Sequence, residues 1–175
     1  MSNFEIVEWY TDGKSCTVYT IRCHNKKENE ASLFFGKYGS SQSPLHDQAL
    51  QLLQFILNSI CMKYGAIDIF FDRHENLVNA LPPLPKKHPN EIAFFGSAFP
   101  LRLYCYRVNE QILILFNGGE KTSNTAQGSK DLSIKFYEAQ SFAIKIQDAL
   151  RSSIIELDET KSHLRHYQIG NKMIL

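Results

Sequence analysis

The sequence predicts an α+β fold: an antiparallel sheet with two amphipathic helices packed on it, preceded by an N-terminal β-meander. Three observations carry that expectation. The stretch Ser43–Gly65 has apolar residues at helical spacing. Three β-rich runs follow a proline-rich segment with only short turns between them. A second helical pattern closes that set, so the order of elements is strands, helix, strands, helix.

Taken in order, FEIVEWY alternates and is followed by Asp12-Gly13 and then SCTVYTIRC. An Asp-Gly pair between two β-rich runs predicts a hairpin. SLFFGKYG is expected to add a third short strand after the polar NKKENEA turn. The helix over 43–65 opens with Ser43 as its N-cap and Pro44 at its first position, with Asp47 in the first turn. Leu45, Ala49, Leu52, Leu53, Ile56, Ile60 and Tyr64 recur along one face, and Gly65 ends it.

IDIFF reads either as a strand or as the start of a short helix reaching Ala80. Pro82, Pro83, Pro85 and Pro89 impose an extended connection over 82–90. EIAFF, LRLYCYRV and QILILF then read as a three-stranded meander. A polar, glycine-bearing loop is expected from Asn117 to about Ser129. The second helix follows, with Leu132, Phe136, Ala139, Ala143, Ile146 and Leu150 on one face. The tail HLRHYQIGNKMIL forms a last hairpin or stays mobile.

All 175 residues fit one domain, and at that length a core needs no staples. The net charge of +1 argues against broad, non-specific nucleic-acid binding, which usually shows a basic excess, while leaving room for a local basic patch. Cys16, Cys23, Cys61 and Cys105 have neither CxxC nor zinc-like spacing, so reduced, hydrophobe-like thiols are expected. The N-terminus carries no secretory pattern and the apolar runs are too short for a membrane span, which predicts a cytoplasmic protein.

NGGEKT, residues 117–122, raises the question of a phosphate loop. A P-loop needs its glycines followed directly by Gly-Lys-Ser/Thr between a strand and a helix. Here Glu120 separates the glycines from Lys121, and the preceding strand belongs to an antiparallel meander. A strand-ending turn that presents Lys121 is the better expectation. On the strand before it, Arg102, Tyr104 and Tyr106 share one face, and Leu101, Leu103 and Cys105 share the other. The first face suits a groove that grips phosphate and stacks bases, or else is simply a solvated or helix-covered side of the sheet. His163, His166 and Tyr167 cluster beside Arg165 near the C-terminus, either as proton donors and acceptors or as a polar tail. FDRHEN, residues 71–76, reads as solvated surface.

The run LRLYCYRVNEQILILFNGGEKTSNTAQ with the helix after it resembles the C-terminal half of RelE/HigB-like toxins, in particular their phage-derived subgroup. The shared pattern is an arginine opening a strand, a tight turn, an aliphatic strand, a lysine-threonine loop and a helix. It covers about Pro100 to Leu150. The resemblance implies a small α+β fold and a metal-independent endoribonuclease, without cofactor, that cleaves mRNA, commonly on the ribosome. It implies as partner an antitoxin, often a DNA-binding protein. Carried over by position, Arg102 and Lys121 are the catalytic residues, with Tyr104, Tyr106 and Arg107 as substrate contacts. The chain departs from the pattern in having Glu120 where a second loop lysine is common, and in its long N-terminal part. The alternative is a member of that fold that binds a protein target or antitoxin without cleaving RNA.

Overall fold

The computed structural model describes residues 3–96, 98–122 and 129–175. Among these residues a seven-stranded sheet runs in the order β3 (His74–Glu75), β4 (Val78–Leu81), β5 (Leu101–Asn109), β6 (Ile112–Glu120), β2 (Thr17–Cys23), β1 (Phe4–Tyr10) and β9 (Met173–Ile174). The N-terminal hairpin forms as its turn signal predicts: β1 (Phe4–Tyr10) pairs antiparallel with β2 (Thr17–Cys23). β2 then lies parallel to β6 (Ile112–Glu120), joining Thr17 to Ile112 and Thr20 to Leu115. The sheet is therefore mixed and departs from the purely antiparallel expectation at this one pairing. Strands distant in sequence meet there, so no turn signal announces it.

SLFFGKYG is helical. It belongs to α1 (Glu30–Tyr38), whose N-cap Asn29 accepts the Ser32 N–H at 2.8 Å. Ala31, Phe34 and Tyr38 fall on the buried side. The aromatic run favours a strand by local propensity, but the cap and burial at helical spacing prevail. Buried Thr20 fixes this helix on the sheet: its Oγ1 accepts the Ala31 N–H at 3.2 Å and donates to the Leu115 carbonyl at 3.0 Å. Gly36 lies mid-helix, and a Cβ there would meet nothing within 4 Å. Gly36→Ala is therefore expected to stabilise the protein by roughly 0.5–1 kcal/mol, seen as a higher urea midpoint at constant slope.

The helix expected over 43–65 starts later, as α2 (His46–Gln54). Ser43 stays outside it, its Oγ accepting the Leu45 N–H at 3.1 Å and its carbonyl the His46 N–H at 3.2 Å. From Phe55 to Tyr64 the chain continues as a π-helix, and Gly65, at φ +78°, ends it with a bond to the Ile60 carbonyl. IDIFF becomes a single 3₁₀ turn over Asp68–Phe70. The short strands β3 (His74–Glu75) and β4 (Val78–Leu81) replace the helix contemplated as far as Ala80.

EIAFF is not a strand: Asn90–Ala93 form the short helix α3. The antiparallel triplet is instead β4, β5 (Leu101–Asn109) and β6, with β4 taking the place expected of EIAFF. β6 runs through Asn117, Gly118 and Gly119 to Glu120, so the expected turn is strand up to that residue. The remainder of the expected loop, 123–128, lies outside the described residues. α4 (Lys130–Arg151) follows, and the tail is ordered into two pairings. β7 (Ile155–Leu157) pairs with β8 (Leu164–His166), and β9 (Met173–Ile174) adds to the β1 edge.

The alternation along β6 divides the core in two. Leu113 and Leu115 join Phe34, Leu52, Ile56 and Phe70 beneath α1, α2 and the π-helix. Ile112, Ile114 and Phe116 face Leu132, Phe142 and Ile146 of α4 on the other side. Helices thus cover both faces of the sheet. All four cysteines are free, and three of them are buried, with burial pushing the Cys16 and Cys61 thiols up to about 12. No helix among the described residues is long and apolar enough to cross a membrane.

Candidate anion-binding site

The strand ends of β4, β5 and β6 bring three cations together. Arg102 is the second residue of β5 and pairs with Gly119 of β6. On its other side Leu103 pairs with Leu81, which places Pro82 next to Arg102. The Arg73 Nε donates to the Pro82 carbonyl at 2.9 Å, and the Arg73 carbonyl accepts the Ala80 N–H at 2.9 Å. Arg73 is thereby folded back against the start of β5. Lys121 follows the last residue of β6, and its N–H donates to the Pro100 carbonyl at 2.6 Å.

Arg102 is only 4% exposed. Its Nη1 donates to the carbonyls of Phe99 at 2.8 Å and Leu101 at 2.7 Å, while among the described residues its buried Nη2 finds no hydrogen-bond partner. Burial first, and the nearby Arg73 charge second, lower this guanidinium to about 10. Tyr104 acts in the opposite direction, and no carboxylate is among the groups that act on it. Lys121 is held below the ordinary lysine value by burial and then by the charges of Arg102 and Arg73. Asp72 acts on Arg73, but it is itself ion-paired with Lys86. The result is a cluster of three positive groups with an unused N–H in its buried member. Such a group costs roughly 1–3 kcal/mol to leave unsatisfied, and more when charged. An anion with several acceptor oxygens is its natural complement.

The other predicted contacts are placed elsewhere. Tyr104 is buried beneath α4, its ring edge-on to Phe136 at a centroid distance of 5.7 Å. Tyr106 is half-buried on that same covered side. Arg107 points to the opposite face of β5. There it donates to the Ala66 carbonyl, pairs with Asp68 at 2.9 Å, and lies over the Phe71 ring at 5.7 Å. Arg107 thus secures the segment after the π-helix and does not converge with Arg102 and Lys121. His163 and His166 sit at the far end of the sheet. The carbonyl of Lys161, beside them, accepts from Asn109 Nδ2 at 3.0 Å. Asn109 lies seven residues along β5 from Arg102, or roughly 20 Å. His163 lies 3.5 Å from Asp158, and the Tyr167 hydroxyl donates to Glu156 at 3.1 Å.

Arg73 is the member of the cluster that sequence reading passes over, because FDRHEN has the look of solvated surface. What ties it to the strand ends is its bond to the Pro82 carbonyl, at the start of the proline-rich run. Among the described residues no group of three His, Cys, Asp or Glu is placed to hold a metal ion. The arrangement is a cluster of three cations at one end of the sheet, with Arg102 buried and Arg73 and Lys121 partly exposed. Compared with known proteins, the chain matches no family model, and neither a curated protein nor a solved structure matches it significantly.

Proposed function

We propose that the protein binds an RNA phosphate at Arg73, Arg102 and Lys121 and acts as the mRNA-cleaving toxin of a toxin–antitoxin pair in the cytoplasm. The observation that carries this reading is the uncompensated cluster around the unused Nη2 of Arg102. In ribonuclease chemistry the 2′-hydroxyl attacks the neighbouring phosphate, and negative charge grows on the phosphoryl oxygens. Cations already fixed there stabilise that charge without reorganising. Two of the three groups are those that the RelE/HigB resemblance selects, and Arg73 adds a third. The histidine cluster has no part in this reading, since it lies at the other end of β5. An antitoxin would then act by keeping RNA from the cluster.

A second reading, a protein of the same class that binds a partner without cleaving RNA, is favoured by one feature of α4. Ile134, Tyr137 and Ile144 lie on one side of it and are 51%, 68% and 51% exposed.

Induced expression in a bacterial host separates the two, with growth and mapped RNA ends followed for wild type and Lys121→Ala. Among the described residues no hydrogen bond or ion pair engages the Lys121 side chain, so this substitution tests the site and not folding. The toxin reading expects growth arrest with new mRNA ends, both strongly reduced in the variant. Arrest with intact RNA favours the binding reading, and absence of both effects overturns the toxin.

A further inference from the structure

A second site lies where the two parallel strands end. The parallel pairing of β2 with β6 ends at Thr20 and Leu115, three residues before β2 ends at Cys23. From this point the chain leaves the sheet in two directions: α1, after β2, packs on one face, and α4, after β6, packs on the other. Between parallel strands whose following helices diverge, a crevice opens at the carboxyl ends, and open α/β sheets bind ligands in such crevices. Here the crevice has two lobes that share Lys26 and Glu30.

Its floor is Asn117, which is 3% exposed. A bulge explains how a strand residue faces the crevice. Leu103 pairs with Gly118 and Cys105 with Leu115, so both Phe116 and Asn117 stand opposite Tyr104. The extra residue turns Asn117 toward α4, where its Nδ2 donates to Glu138 Oε2 at 2.6 Å. That bond fixes the amide, and among the described residues its buried Oδ1 has no partner. An unsatisfied buried acceptor at the base of a crevice calls for a ligand N–H or O–H.

The walls are balanced in charge. Lys26 pairs with Glu30 at 2.6 Å and Lys135 with Glu138 at 3.5 Å. Lys37 and Asp131 also line the crevice, and among the described residues neither forms an ion pair. Asp131 is placed over the strand: a Cβ on Gly119 would come within 3.1 Å of its Oδ2. Lys37 is held from α1, with its Nζ 4.9 Å from the centre of the Tyr38 ring. One free carboxylate, one free ammonium and one free amide oxygen complement a small zwitterion.

We propose that this crevice binds a free amino acid, whose ammonium group donates to Asn117 Oδ1 and faces Asp131 while its carboxylate faces Lys37. The residues are distinct from Arg73, Arg102 and Lys121, so the site stands whether or not the protein cleaves RNA.

The test is an NMR titration of the isotope-labelled full chain with each of the common L-amino acids in turn, read at the Asn117 side-chain amide. Expected is a saturable shift of that amide by one amino acid or a small group of them. The apparent affinity should fall at least about tenfold in Lys37→Ala and in Asp131→Ala, both surface changes that leave the core intact. The N-acetylated ligand, which has lost its ammonium charge, should not bind. No shift with any amino acid overturns the proposal. Unchanged affinity in both variants does so as well, and so does equal binding of the acetylated ligand.

Discussion

Arg102→Met is expected to weaken oxyanion binding at least about tenfold while leaving the protein folded. In wild type, inorganic phosphate or a short single-stranded RNA should raise the melting temperature, because a ligand that binds only the folded state stabilises it by mass action. A charge-assisted contact is worth roughly 1.5–3 kcal/mol, so its loss should weaken binding tenfold to a hundredfold and remove the ligand-induced shift. Stability without ligand should change by no more than about 1 kcal/mol. Two opposed effects produce that near-balance: the variant gives up the bonds to Phe99 and Leu101, and it also removes a buried, uncompensated cation. The sign with pH is fixed too. A guanidinium lowered from its ordinary value to about 10 releases its proton more easily folded than unfolded. Its burial penalty is therefore complete at neutral pH and fades only as pH rises past about 10 towards the ordinary arginine value. A variant that binds RNA as tightly as wild type at neutral pH would remove Arg102 from the site.

Gly118→Ala is expected to be the most damaging single-methyl change in the sheet. A Cβ at Gly118 would stand 2.2 Å from the Arg102 carbonyl oxygen, 2.9 Å from the Leu103 Cα and 2.9 Å from a Phe34 ring carbon. Two of those neighbours are backbone of β5, so relief requires parting β5 from β6. A loss of at least about 3 kcal/mol, or failure to fold, should appear in urea denaturation. Gly119→Ala should stay within about 1 kcal/mol of wild type, because its nearest neighbour is the movable Asp131 carboxylate at 3.1 Å. Equal effects at the two positions would mean that close strand packing is not why Gly118 is a glycine. The pair also answers what NGGEKT is for. Gly118 lets β6 approach β5 closely, and the strand ends at Glu120, just before Lys121.

The legible part of the structure is the part written in local chemistry. Asp12-Gly13 announced the first hairpin, the spacing from Leu45 to Tyr64 announced the long helix, and the alternation of LRLYCYRV against QILILF announced β5 and β6. The pattern Leu132 to Leu150 announced α4. Errors arose where a short segment carried contradictory signals. SLFFGKYG has strand-like aromatics but a helix cap just upstream, and EIAFF is too short for its period to be decided. At the site, Arg102 and Lys121 were visible as residue types on suitable elements. The covering of Tyr104 by a helix was one of the two readings open for that face, but choosing it, like the diversion of Arg107 to Asp68, depends on what packs above the strand.

By itself the sequence determined which segments pair or coil through near neighbours, since caps, turns and side-chain periods act over a few residues. Only the tertiary structure decided that β2 lies parallel to β6, that Arg73 returns to stand beside Arg102, and that Asn117 turns into a crevice between α1 and α4. Each of these joins residues about 20 to 100 positions apart. Whether they meet is set by burial summed over the whole chain, and no local pattern encodes that sum.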